Sequence, residues 1–163
     1  SRIPHGAGVM TGSSTTLKQI GFIDLLKTGK HLWDNWKDHI LNEENPERRH
    51  ALRRTSTTAD YFVGSVQAVT HDGLVVSCDA TGSRQGGYVY GARAVIWVVG
   101  LNKLVPDLDA ALRRVWQYCL PLEDAAMKRG GGTGSYVGKL VLYEREGEPA
   151  RISTILVRAA LGY

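Results

Sequence analysis

The residues best suited to chemistry in this sequence are small, hydroxylated or charged, and they gather where apolar runs stop. In "VMTGSSTTLKQIG", Val9 to Gly21, an apolar dipeptide is followed by Thr11, Gly12, Ser13, Ser14, Thr15 and Thr16 before Leu17 opens a helical pattern. Gly12 permits a tight backbone turn, and four hydroxyls add donors to the free N–H groups of a helix start. Such a junction receives phosphate or carboxylate. The competing reading is structural: one Ser or Thr caps the helix, worth about 1 kcal/mol, and the others face solvent.

A second junction lies in "VGSVQAVTHDGLVVSCDATGSRQGG", Val63 to Gly87, which begins with Gly64 at the end of an apolar run. Asp72 sits in the turn His71-Asp72-Gly73, where a carboxylate bonds the local backbone. Asp79 instead ends an apolar strand and is followed by Ala80-Thr81-Gly82-Ser83-Arg84. An acid there can serve as general base or ligand anchor, and Arg84 can hold an anion bidentately. Its bland alternative is a helix-capping carboxylate. Lys103 follows another apolar run, a place that suits phosphate binding or simple exposure. Glu123 and Asp124 are adjacent, so on a helix they point different ways and cannot act as a paired acid and base; one of them is expected to cap or to pair with an arginine.

Several other chemistries fail on spacing. Gly138-Lys139 resembles the end of a phosphate-binding P-loop, but Thr133 stands where the earlier Gly is required and Leu140 where Ser or Thr is required. The five histidines (His5, His31, His39, His50 and His71) show no HxH or HxxxH pattern, and no Ser lies in GxSxG, so neither a metal centre nor a serine hydrolase is indicated. Cys78 and Cys119 form neither a CxxC nor a disulfide framework, and reduced, buried thiols fit them best. A net charge of +4 is a small excess. The densest basic run, "ERRHALRR", spreads Arg48, Arg49, Arg53 and Arg54 around a helix rather than along one stripe, which argues for a solvated face over nucleic-acid binding. No apolar run approaches the roughly 18 residues that span a bilayer. The expected location is cytoplasmic, with no membrane partner.

These junctions need strands and helices to hold them. Leu17, Ile20, Ile23 and Leu26 predict a helix of about three turns that ends at Gly29, and the region 31–58 reads as helical, with Trp33, Trp36 and Ile40 packed and Asn45-Pro46-Glu47 as a helix start. "DYFVGSVQAVT" and "LVVSC" read as two strands, Gly82 to Tyr90 as a short helix, and "AVIWVVG", Ala94 to Gly100, as a strand buried on both faces. Pro106-Asp107 opens a helix carrying Leu108, Leu112, Val115 and Trp116, Pro121 begins another, and "KLVLYE" and "STILVRA" supply the last strands. "RGGGTGS", Arg129 to Ser135, reads as a loop. Alternating strands and helices predict one α/β domain over residues 1–163, with a mainly parallel, helix-covered sheet in three layers.

Taken in order, "VMTGSSTTLKQIGF", "ADYFVGSVQAVTHDGLVVSCDATGSR", "VIWVVGLNKLVPDLDAAL", "LPLEDAAMK" and "LVRAALGY" resemble the LUD domain, the family of lactate utilisation protein C. The resemblance covers almost the whole chain but begins late, which implies a missing N-terminal helical segment and first strand. It implies the fold of the superfamily of pentose-phosphate isomerases, coenzyme A transferases and folate cycloligases. Isomerases of that superfamily hold a substrate phosphate in a loop like Thr11 to Thr16 and bring carboxylates forward from a segment like Val63 to Gly73. Here Ser65 and Gln67 stand where such carboxylates are expected, so Asp79 or Asp72 would have to replace them.

The resemblance implies an accessory protein of lactate or related organic-acid oxidation, with separate iron-sulfur and oxidoreductase subunits as partners and self-association open. Its ligand would be a small anion held by Gly12, Ser13, Ser14, Thr15, Thr16, Gly64, Thr81, Gly82, Arg84 and Lys103, with no metal and no assigned cofactor. The alternative is an isomerase or transferase acting on a phosphorylated or coenzyme A-linked substrate, in which Asp79 moves a proton beside a carbonyl. Nucleic-acid binding ranks last.

Overall fold

The computed structural model describes residues 2–163. In chain order the strands are β1 (Gly8–Thr11), β2 (Asp34–Asn35), β3 (Tyr61–Gly64), β4 (Ala68–Thr70), β5 (Val75–Asp79), β6 (Ala94–Gly100), β7 (Leu104–Val105), β8 (Lys139–Tyr143) and β9 (Ile152–Val157). The helices are α1 (Thr15–Gln19), α2 (Phe22–Thr28), α3 (Trp36–Asn42), α4 (Pro46–Thr55), α5 (Ser83–Gly86), α6 (Leu108–Arg114) and α7 (Leu120–Arg129).

A parallel sheet in the order β2-β1-β3-β6-β9 forms the centre, and helices flank it. The apolar run at β6 is continuous because both of its faces are covered: Val95, Trp97 and Val99 pack on one side with Met10, Phe62 and Tyr88, while Ile96 and Val98 pack on the other with Val9, Leu17 and Val63. The period of two along a strand thus divides one hydrophobic run between two cores. Each fully buried side chain of this kind contributes roughly 1.5–3 kcal/mol. A smaller sheet, β7-β4-β5-β8, pairs β5 antiparallel to both β4 and β8 and is backed by Ala111 and Val115.

The expected α/β, three-layer class is the observed one, with local corrections. The long helix predicted from Leu17 to Leu26 is two short ones, because Gly21 takes a left-handed conformation (φ 76°) between α1 and α2; Gly29 (φ 63°) then ends α2 as expected. Region 31–58 is not wholly helical: β2 adds Asp34 and Asn35 to the edge of the sheet, and Trp33 packs on Phe22 at 5.9 Å from outside any helix. "DYFVGSVQAVT" is not one strand. It breaks at residues 65–67, and its halves β3 and β4 enter different sheets. Pro121 stands in the first turn of α7 as expected, but α7 is continuous with α6 through a wide π turn, Val115–Cys119, and Trp116 is left half-exposed rather than packed. A second π turn, Gly87–Gly91, extends α5, and the buried Arg151 donates to its carbonyls at Tyr88 (2.7 Å) and Val89 (3.0 Å). Among the described residues no helix is long and apolar enough to cross a membrane.

Candidate functional site

The carboxyl ends of β1, β3 and β6 lie side by side, and each releases the chain into a short connection: the loops Gly12 to Ser14 and Ser65 to Gln67, and the 3-10 turn Leu101–Lys103. In a parallel sheet this is where ligands gather. The loops, with the end of β5 and the facing side of α7, enclose a cleft of about 470 Å3.

Its floor is a lysine. Lys103 is only 2% exposed, and its Nζ donates to Thr16 Oγ1 and Ser65 Oγ, both at 3.0 Å. Among the described residues no carboxylate pairs with it. Desolvation brings its pKa down from an ordinary 10.5 to about 8, with Arg114 and Arg84 adding to the fall. Because the unfolded chain binds more protons than the folded one between pH about 8 and 10.5, stability of the unliganded protein is expected to rise with pH across that window. Thermal melts at pH 7.5 and 9.5 would show it as a higher Tm at the higher pH, a difference that disappears in a Lys103→Met variant.

Both readings of the opening hydroxyl run are realised by different residues. Ser14 caps α1, its Oγ accepting from Leu17 N–H at 3.2 Å, whereas Thr16 faces the lysine. Gly12 lets Arg84 in: a side chain at Gly12 would stand 3.2 Å from Arg84 Cδ. The Arg84 guanidinium donates to Cys78 O at 3.0 Å, while its buried Nε has no hydrogen-bond partner and lies 4.0 Å from Asp79 Oδ2. Asp79 itself takes the capping role, its Oδ2 accepting from Arg84 N–H at 2.9 Å.

Gly12, Ser13, Ser14, Thr15, Thr16, Asp79, Thr81, Arg84 and Lys103 all line the cleft. Gly64 and Gly82 do not. Gly64 is glycine because the buried Tyr88 hydroxyl occupies the space of a side chain, and Gly82 supplies a left-handed turn (φ 88°) under Lys139. Asp72 remains in its turn, hydrogen-bonded to Thr70. Neither acid of the 123–124 pair meets an arginine: Asp124 bonds Lys128 (2.7 Å) and Ser135 N–H (2.9 Å), and Glu123 accepts from Tyr163 Oη at 2.5 Å.

Sequence reasoning did not place the remaining wall. Gln67 fixes the strand end, its Oε1 accepting from Cys78 N–H at 2.8 Å. Cys78 and the buried Cys119 both line the cleft, and desolvation pushes both thiols up, Cys78 to about 11, so they are protonated at neutral pH. The segment 159–163 packs beside the lysine: Asn102 bonds Leu161 N–H (2.9 Å) and Gly162 O (3.0 Å), Thr16 donates to Leu161 O (3.3 Å), and Tyr163 joins the lining of the cleft. The only signal available was the polar type of Asn102 and Ser65, which does not reveal a partner so distant in sequence.

The family model of the LUD domain matches residues 1–137, which span β1 through the cleft-lining segment before β8. The chain belongs to the LUD domain family. This family is associated with lactate utilisation, and the match includes every loop that meets at Lys103 except the C-terminal segment. A search of curated proteins found no match.

Proposed function

We propose that this LUD domain binds a small organic anion in the cleft and serves the oxidation of lactate or a related acid as an accessory component beside iron-sulfur subunits. The observation that carries the anion reading is Lys103: a buried ammonium held, among the described residues, by two hydroxyls and by no carboxylate. Burying an uncompensated charge costs several kcal/mol, and a bound anion returns much of that cost. The unpartnered Nε of Arg84 supplies a second donor in the same cleft. The accessory part rests on the family and on thiol chemistry, since an iron-sulfur cluster held by four cysteine thiolates cannot be built from Cys78 and Cys119 alone.

A thermal-shift series with lactate, pyruvate and phosphate tests the reading. A ligand at a hundred times its Kd raises stability by roughly 2.7 kcal/mol. Absence of any anion-dependent shift removes the binding role, and oxidation of lactate by the isolated chain with an artificial acceptor removes the accessory one. Affinity is expected to hold below pH 8 and to fall above it, as Lys103 loses its charge.

Asp79→Asn tests the part that this carboxylate plays in anion binding. The amide oxygen keeps the Arg84 N–H cap, so stability changes by about 1 kcal/mol or less. Removing the negative charge beside Arg84 strengthens anion binding by a factor of roughly three, as expected for a partly screened charge. Weaker binding in a folded Asp79→Asn protein would show that the carboxylate contacts the ligand favourably.

A further inference from the structure

The cleft holds cations that the proposed function does not use. Lys37 on α3 and Arg53 on α4 line its outer part, while Lys103 and Arg84 line its depth. Among the described residues neither Lys37 nor Arg53 makes an ion pair or a side-chain hydrogen bond. Burial lowers the pKa of Lys37, the nearby Arg53 lowers it further, and no carboxylate offsets this. Like charges facing one cavity oppose folding, and an anion between them relieves the repulsion.

The balance of the whole cleft points the same way. Lys37, Arg53, Arg84 and Lys103 are its cationic side chains, and Asp79 and Glu123 its carboxylate side chains. Both carboxylates are engaged, Asp79 by the Arg84 N–H and Glu123 by Tyr163. The lining side chains thus carry two excess positive charges, in a space of about 470 Å3 of which lactate would fill a small part.

We infer that Lys37 and Arg53 form a second anion subsite, so that the ligand is a small molecule with an anionic group at each end, one on Lys103 and Arg84 and the other on this pair. The inference rests on the anion-binding reading and adds the class of ligand. It assigns a function to two residues of the helices that otherwise only cover the sheet. The basic run "ERRHALRR" then serves two ends: α4 exposes most of its charges to solvent but turns Arg53 to the cleft.

Calorimetric titration of the full chain provides the test, with lactate and inorganic phosphate as single-ended probes and 3-phosphoglycerate as the two-ended one. The native protein should bind 3-phosphoglycerate at least about tenfold tighter than phosphate, the worth of one added charge-assisted hydrogen bond. In Arg53→Met, an exposed position on a helix with no buried residue, that advantage should fall towards unity, and Lys37→Met should repeat the result. Equal affinity for one- and two-ended probes in the native protein overturns the second subsite, as does an undiminished advantage in both variants. Equal loss of affinity for all probes overturns it too, since it marks a diffuse field rather than a subsite. If no probe binds the native protein, the anion reading itself fails.

Discussion

Lys103→Met should remove most of the stabilisation by anions while leaving the unliganded protein as stable as the native one, or more stable. Methionine nearly matches the length of the lysine stem and carries no charge, so it removes the desolvation cost of an ammonium that is 2% exposed and lacks a carboxylate. Its hydroxyl partners lose little: Thr16 keeps its bond to Leu161 O, and the Ser65 hydroxyl can rotate. For the ligand the change is large, because a charge-assisted hydrogen bond from a buried ammonium is worth about 2–3 kcal/mol, or roughly a hundredfold in affinity. Thermal melts with and without lactate and phosphate measure both effects at once. A folded variant that still responds to anions as the native protein does would show that Lys103 is not the anchor. A variant that melts well below the native protein would show that the lysine holds the fold together.

Gly64→Ala has the largest expected effect on stability. The position ends β3, and a methyl group there would overlap the Tyr88 hydroxyl, which has no free route of retreat. Tyr88 is fully buried, its ring stands edge-on to Phe62 (5.2 Å) and Trp97 (5.6 Å), and its backbone lies in the π turn held by Arg151. Its hydroxyl also reaches Ser65 O at 3.4 Å, and the side chain of that same serine is a partner of the lysine. Overpacking of a fixed core costs about 1–3 kcal/mol, and expelling the aromatic ring adds to it. The expected loss is therefore about 3 kcal/mol or more, visible as a lower denaturant midpoint and weaker anion binding through displacement of Ser65. A change below about 0.5 kcal/mol, the range of an ordinary surface substitution, would place Tyr88 in a far looser setting than the packing described.

The same pair of residues illustrates what could be read from the sequence. Gly64 was legible as a glycine at a strand end, a position where a ligand can approach the backbone, and that chemistry is equally suited to a tyrosine from another element. Only the packing of the π turn over β3 decides between them. Gly12 is the converse case: its small size admits the Arg84 stem to the cleft, and the two residues lie far apart in the chain.

Local signals fixed the elements wherever one force dominated. The unbroken apolar run of β6 announced a strand buried on both faces, Asp107 and Asn45 announced the helix starts they cap, and the Gly and hydroxyl runs after β1 and β5 announced strand-to-helix junctions. They failed where two forces competed at short range. Leu17 to Leu26 kept a helical period across Gly21, whose left-handed turn divides α1 from α2; the apolar residues of β3 and β4 continued through Ser65 and Gln67, although the chain changes sheets there.

The types of the site residues, their placement at strand ends and the family are therefore properties of the sequence alone. What the tertiary structure alone decided is the electrostatic character of the cleft. Whether a lysine is an exposed solubilising charge or a buried anion anchor depends on which groups surround it, and here those groups come from residues 16, 65 and 103, joined only when β1, β3 and β6 align. Burial and the lack of a counter-ion are properties of that convergence, and no local pattern of residues carries them.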